Sequence, residues 1–175
     1  MKRSLDIIDS EPMDDAEIRK IIPDIKIIKY ADFNKYNNIL DVLPAEGDQL
    51  IYLLENSPND GHWMALKRLN NEILHFDPYG NHIDADLKWI SKAENSKLSQ
   101  TNNRLSNILS GSGLLTKYNN IDYQNHASDI ATCGRHCCLF LLSNLSLENY
   151  YKKMKELKKI NKMNYDDIVC SIISI

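Results

Sequence analysis

Apolar residues recur along the chain with two different spacings. One spacing is typical of helices and the other of strands, and together they predict where each element lies. At residues 14–21 acids precede bases, which favours a short helix that ends before Pro23. The apolar run at residues 25–30 favours a strand. At residues 33–43 the apolar side chains recur at helical spacing, which predicts a helix that Pro44 stops.

The rest of the chain continues this division, with a run of strands and then a run of helices. The segment at 133–145 is apolar on nearly all sides and predicts a buried helix. The overall order, helices, strands and helices again, predicts an α+β fold. The other strands are predicted at 49–55, 62–69, 72–76 and within 114–123, and the other helices at 85–97, 103–109, 147–162 and from Tyr165.

Length and composition agree with one folded domain over residues 1–175, in which the polar residues 1–13 are predicted to be a flexible arm. Hydrophobic residues make up 43% of the chain and charged residues 26%, values that exclude a disordered protein. The net charge of −3 excludes a protein that is basic overall and binds nucleic acid on that account.

No stretch of the sequence has the pattern of a membrane span or a signal peptide. The longest strictly apolar run, at 137–142, has six residues, whereas a membrane-spanning helix needs about 20. Asp6 and Asp9 stand where a signal peptide needs apolar residues. We therefore expect an intracellular protein with reduced thiols and no membrane partner.

Three of the four cysteines are clustered, and the first of them opens the predicted buried helix. Thr132 is the expected N-cap of this helix, and Gly134 allows a backbone or a substrate to approach closely. Because the free amides and the dipole at a helix N-terminus stabilise a thiolate, Cys133 is the candidate nucleophile. Cys137 and Cys138 lie one turn further along and are expected to pack in the core.

A thiol nucleophile needs a base and a group that orients the base, and two neighbouring strands supply candidates. His62 begins one strand directly after a turn, and Asp77 ends the next strand. Because the start of one strand lies beside the end of the next in an antiparallel hairpin, we expect the two to be neighbours. Gln124 precedes Cys133 and is a candidate donor to an oxyanion. His75 is the alternative base, although its position favours the sheet surface.

Two further patterns carry alternatives. Cysteines and histidines crowd together between positions 126 and 138, but the matching distant pair of a structural zinc site is missing. We therefore expect no metal and no cofactor. The basic stretch Lys152 to Lys162 is typical of a solvated helix face that pairs with Glu148 and Glu156, and a weak contact with DNA or a capsid surface is the alternative.

Four motifs stand in the order that the adenovirus-type and Ulp1-like cysteine proteases share. Over residues 48–145 the chain resembles these enzymes, and among them it is most similar to the capsid-maturation proteases of large DNA viruses and virophages. Each motif alone has little specificity, whereas all four in order within one small chain are fairly specific. The motifs are Gly61-His62-Trp63-Met64-Ala65, Phe76-Asp77-Pro78-Tyr79-Gly80, Gln124, and Cys133-Gly134-Arg135-His136-Cys137-Cys138.

The resemblance implies a papain-like protease core, in which a mixed sheet carries His62 and Asp77 and a buried helix carries Cys133 at its N-terminus. Cys133 would attack the scissile carbonyl, and His62, oriented by Asp77, would act as base and then as acid. Gln124 would contribute to the oxyanion hole. Trp63 would form a narrow substrate slot that favours Gly before the cleaved bond.

The function that the resemblance implies is an endopeptidase that cleaves capsid and other virion precursor proteins during maturation, in the virion and the host cytoplasm. An isopeptidase acting on ubiquitin-like modifiers is one alternative, because it uses the same catalytic residues and the same glycine slot. An inactive structural or binding protein of the virion that retains the fold is another.

The chain departs from the family pattern at three points. Nine positions separate Gln124 from Cys133, a slightly longer step than in the family, so Asn125 or another nearby donor stays open as the oxyanion group. The acid is Asp77, where adenoviral enzymes have Glu. The adenoviral enzyme is stimulated by DNA and a viral peptide, which the acidic composition here does not favour.

Overall fold

The computed structural model describes residues 8–175, and its centre is a five-stranded mixed sheet. The strands are β1 (Lys26–Lys29), β2 (Gln49–Ser57), β3 (Asp60–Leu69), β4 (Glu72–Phe76) and β5 (Leu115–Tyr118). They follow one another across the sheet in chain order; β1/β2 and β4/β5 are parallel, and β2, β3 and β4 form an antiparallel meander. The mixed sheet confirms the predicted α+β class.

The helices cover both faces of this sheet. Within residues 8–175, no helix is long and apolar enough to span a bilayer. Shorter 3-10 segments occupy Tyr30–Lys35, Ile39–Asp41 and Ala85–Trp89. The α-helices that lie wholly within the described residues are α1 (Asp15–Ile21), α2 (Lys92–Lys97), α3 (Arg104–Ser110), α4 (Cys133–Ser143), α5 (Leu147–Asn161) and α6 (Tyr165–Ile172).

Alternate residues of the strands face two separate cores. On one face, Phe76 of β4 stacks on Phe140 of α4 with ring centroids 4.5 Å apart, and Tyr150 of α5 meets both rings edge-on. On the other face, the ring of Tyr52 on β2 meets the ring of Phe33 edge-on, with centroids 5.2 Å apart. Because each core is closed by its own set of helices, α4 is held against the centre of the sheet.

Two predicted helices take a different form in the structure. Residues 33–43 form no α-helix, since Asn38 is extended and its side chain accepts a hydrogen bond from Leu40 N at 2.9 Å. Such a local side-chain bond competes with the helical one. The predicted helix at 85–97 is likewise divided, because Ser91 caps a new helix by accepting from Glu94 N.

The N-terminal arm is partly described, and the described part differs from the prediction. Residues 1–7 of the predicted arm lie outside the described residues. At residues 8–13 the chain is attached to the core rather than loose, because Asp9 O accepts from Ala131 N at 2.7 Å and Glu11 O accepts from Arg135 at 2.8 Å. Met13 is buried at 3% exposure.

The turn into β3 depends on a close approach of backbones at Gly61. A Cβ at this position would lie 1.9 Å from the carbonyl oxygen of Leu54 on β2. Only glycine therefore allows β2 and β3 to keep their register beside His62.

Gly61→Ala is expected to lower the free energy of unfolding by about 3 kcal/mol, because the new methyl group overlaps backbone that cannot move independently. Urea denaturation followed by circular dichroism measures this change. Gly111→Ala is the matched control, since Gly111 has right-handed helical backbone and no atom nearer than 3.7 Å to an added Cβ. Equal stabilities of the two variants would contradict the interpretation.

Candidate active site

Four of the predicted site residues line a cleft of about 520 Å³ at one end of the sheet, and the fifth, Asp77, is bonded to His62 beside it. Ala65 of β3 pairs with Phe76 of β4, so the start of β3 lies beside the residues that follow β4. This register brings His62 to Asp77, and the N-terminus of α4 brings Cys133 to the same cleft. Gln124 and Trp63 line it as well.

His62 is joined to Asp77 by a hydrogen bond of 2.7 Å from its Nε2 to the Oδ1 of the carboxylate. The His62 side chain is 15% exposed and that of Asp77 1% exposed. Burial alone lowers the pKa of His62, but hydrogen bonds and charges of Asp77 and Cys133 outweigh it and raise the pKa to about 10. The imidazole is therefore positively charged at neutral pH.

The Asp77 carboxylate is held in place by the turn that follows it. Burial raises its pKa, but the hydrogen bond and charge of His62 lower it below the ordinary value, and the bond from Tyr79 N adds to this. Tyr79 N donates to Oδ1 at 2.9 Å and Asn81 N to Oδ2 at 3.2 Å. The Asn119 side chain bonds both backbone groups of Asp77, at 2.8 and 2.7 Å. Asp77 is thus an ionised, oriented carboxylate.

Cys133 is the first residue of α4 and is 5% exposed. Burial raises the pKa of its thiol, but the hydrogen bond and charge of His62 lower it below the ordinary value, helped by backbone groups of Trp63 and Gly134. The pKa values of the other three thiols, in contrast, are raised, chiefly by burial. His62 and Cys133 therefore each favour the charged form of the other.

Asp166 of α6 is a site residue that the sequence pattern did not indicate. Thr132 occupies the N-cap position of α4, but its hydroxyl donates to Asp166 Oδ1 at 2.5 Å instead of capping the helix. His136 lies 3.1 Å from the same oxygen, and Asn125 N donates to Oδ2 at 3.0 Å. One buried carboxylate thus joins the residue before Cys133 to the residue after Gln124.

Gln124 is buried at 2% exposure and lines the cleft together with Cys133. Its Nε2 lies 3.2 Å from Ile130 O and 3.3 Å from the Tyr79 hydroxyl. Because Ile130 O can only accept, the amide nitrogen must be the atom that faces it, which orients the donor. Asn125 is exposed and lies outside the residues that line this cleft, whereas Gln124 lines it together with Cys133.

Trp63 forms the wall between the cleft and a neighbouring groove that is lined by Met13 and β1. Its indole Nε1 donates to Met13 O at 2.8 Å. The ring also lies against Gly134, where an added Cβ would be 3.3 Å from Trp63 Cδ1 and 3.0 Å from Met13 Cβ. The N-terminal segment therefore fixes the orientation of this ring.

His75 does not take part in the cleft, and its predicted place on the sheet surface is wrong. The side chain is fully buried on the face opposite Phe76, with Nε2 2.8 Å from the hydroxyl of Tyr52. Burial lowers the pKa of His75 to about 4, so the imidazole is neutral. Strand periodicity alone predicts that His75 is exposed, but the second core covers it. This core is formed by segments that are far apart in sequence.

Tyr79 and Asp86 are two further cleft residues whose roles the sequence did not indicate. The Tyr79 ring stacks on His62 with centroids 4.4 Å apart and on His126 at the same distance. Among the described residues, His62, Asp77 and Asp86 are the group whose potential metal-ligating atoms lie within 4.8 Å of one another. A metal shared by His62 and Asp77 would have to break their 2.7 Å hydrogen bond.

The lysines of the basic stretch of α5 are exposed, and none of them lines the cleft. Lys152 pairs with Glu148 at 3.0 Å and Lys153 with Glu156 at 3.3 Å. These exposed pairs fit the solvated face, and the contact of this stretch with DNA stays a prediction.

Loss of the His62 imidazole is expected to remove the stabilisation of the Cys133 thiolate. In His62→Ala, alkylation of Cys133 at pH 6 should be slower than in the wild type by about tenfold or more, because the pKa of the thiol returns towards its ordinary range. Iodoacetamide labelling followed by peptide mass measures the rate at each thiol. Cys138, fully buried, should stay unlabelled in both folded proteins. Equal rates at Cys133 would refute the pair.

Asp166→Ala is expected to lower the free energy of unfolding by about 3 kcal/mol, because buried donors lose their acceptor. Burial raises the pKa of Asp166, but His136 and Thr132 lower it below the unfolded value. Its contribution is therefore present above the unfolded pKa of about 4 and lost as pH falls through the folded pKa. Urea denaturation at pH 7 and pH 3 tests both statements. Asp167→Ala, in the same helical turn, should change stability by less than about 1 kcal/mol.

Comparison with known proteins adds one relation to these observations. No protein-family model matches the chain. The uncharacterized protein V9 of the Sputnik virophage is 34% identical to it over 149 residues, which cover 84% of this chain and 85% of that protein. The predicted relation to virophage proteins is confirmed, whereas protease activity stays a prediction. The chain belongs to the family of this virophage protein.

Proposed function

We propose that the protein is a cysteine endopeptidase with a papain-like core. Cys133 is its nucleophile, His62 its acid and base, and Asp77 the acid that orients His62. The observation that supports this most directly is a buried carboxylate that is hydrogen-bonded to an imidazole, where the imidazole in turn lowers the pKa of a thiol at a helix N-terminus. Acyl transfer of this kind requires a nucleophile, a base beside it and an acid that orients the base.

Acylation begins from the thiolate–imidazolium pair. The Cys133 sulfur attacks the carbonyl carbon of the scissile peptide, and the carbonyl electrons move to oxygen to form a tetrahedral intermediate. When the C–N bond breaks, His62 gives its proton to the leaving amine. Asp77 keeps the imidazole oriented throughout, because its carboxylate accepts from Nε2.

In deacylation His62 acts as a base, whereas in acylation it acts as an acid. Neutral His62 takes a proton from water, the oxygen of that water attacks the thioester carbon, and the C–S bond breaks to release the acid and restore the thiolate. The Gln124 amide nitrogen and the backbone N–H of Cys133 would donate to the oxyanion in both steps. The contact with Ile130 O orients the Gln124 amide before substrate arrives.

The proposed substrates are capsid and other virion precursor proteins, cleaved in the virion or the host cytoplasm during maturation. Trp63 supports a preference for Gly next to the cleaved bond, because the ring is buried at 5% exposure and is fixed by Met13, leaving a rigid wall beside the thiol. Membership of a virophage family supports the viral setting of these substrates.

Co-expression with the capsid precursors encoded in the same genome tests the proposal. Wild type is expected to generate new termini beside Gly, read by intact mass, and Cys133→Ala is expected to generate none. Cys138→Ala is the matched control, because this thiol lies on the same helix, is fully buried and has a pKa raised to about 12. It should retain cleavage.

The other possible results of this experiment distinguish the alternative functions. Cleavage by Cys133→Ala would refute the nucleophile. Processing of a ubiquitin-like fusion with intact capsid precursors would identify an isopeptidase instead. Absence of any cleavage, together with an unreactive Cys133, would identify a binding or structural protein that retains the fold.

A further inference from the structure

We propose that Asp86 is a positioning residue that is protonated beside the ionised Asp77, and that the catalytic pair works fastest while this proton is in place. This inference rests on the proposed function. It concerns a carboxyl group that the mechanism above does not use and that lines the cleft beside the reacting atoms.

The first observation is the burial of Asp86 without a partner. The residue lies in the 3-10 segment Ala85–Trp89 and is 6% exposed. Both of its carboxylate oxygens are inaccessible and have no hydrogen-bond partner among residues 8–175. An ionised carboxylate in such surroundings is strongly disfavoured, whereas a protonated one can donate a hydrogen bond.

The second observation is the position of this carboxyl group next to the His62–Asp77 pair. One oxygen of Asp86, one oxygen of Asp77 and a ring nitrogen of His62 lie within 4.8 Å of one another. Two carboxyl groups this close disfavour each other's ionisation, so one of them holds a proton near neutral pH. Asp77 accepts hydrogen bonds from His62, Tyr79 N and Asn81 N and stays ionised, so the proton belongs to Asp86.

The electrostatics of the surrounding groups agree with this assignment. Burial raises the pKa of Asp86, and Asp77 raises it further, to about 7, against the opposing effects of His62 and Asn81. Two phenols, Tyr52 and Tyr79, also face the charge of Asp86, and both have pKa values raised chiefly by burial, so they stay neutral. The proton on Asp86 is therefore the one that leaves near neutral pH.

Loss of this proton changes the chemistry of His62. While Asp86 is protonated, Asp77 is ionised beside the imidazolium and Asp86 is neutral. When Asp86 ionises, a second negative charge stabilises the imidazolium and repels Asp77. His62 then gives its proton to the leaving amine less readily, so turnover falls as pH rises through the pKa of Asp86.

Asp86→Asn tests the inference, because the amide is neutral at every pH and has nearly the same size as the carboxyl group. The alkaline limb of the kcat profile on a Gly-containing peptide is expected to shift upward by about one pH unit or more, with KM little changed. Asp60→Asn is the matched control, since Asp60 is an exposed acid that lines the same cleft. Its alkaline limb should coincide with that of the wild type.

A second measurement does not depend on activity. In wild-type protein labelled with ¹³C at aspartate carboxyls, one assigned resonance, that of Asp86, is expected to titrate near neutral pH and to be missing from Asp86→Asn. Titration of Asp86 in the ordinary range of carboxyl groups would overturn the inference, as would a kcat profile of Asp86→Asn identical to the wild type. A near-neutral titration in a protein that cleaves no peptide would refute the proposed function and leave the proton assignment standing.

Discussion

The hydrogen bond between His62 and Asp77 is the interaction on which the rest of the site depends. It joins the start of β3 to the residue after β4, so it exists only in the register that pairs Ala65 with Phe76. A slip of one residue would turn every side chain of a strand to the opposite face. The two cores prevent such a slip, because each face of the sheet is packed against its own helices.

The charges of the site are stabilised in the same way, by contacts from several elements. Cys133 is buried, and burial alone disfavours its thiolate. The imidazolium of His62 offsets that cost, and it is stabilised in turn by Asp77, which two backbone amides and the Asn119 side chain orient. The charged forms of these groups therefore depend on the whole arrangement, since each charge is unfavourable without its neighbour.

Asp166 extends this dependence to the C-terminal part of the chain. Its carboxylate bonds Thr132 at the N-cap of α4, His136 within α4 and the backbone of Asn125 beside Gln124. On the opposite side, the carbonyl groups of Glu11 and Met13 attach the N-terminal segment to Arg135 and Trp63. Both ends of the described chain thus contribute to the geometry of the cleft.

The sequence by itself determined the α+β class, the positions of most strands, and which thiol begins the buried helix. These features follow from periodicity and from the order of motifs, which are local properties. It also indicated that His62 and Asp77 are neighbours, since a hairpin sets that distance almost locally. Only the tertiary structure decided the burial of His75, the attachment of residues 8–13, and the roles of Asp86 and Asp166. The physical reason is that burial and the pKa of a carboxyl group depend on residues far away in sequence, whose approach no local pattern records.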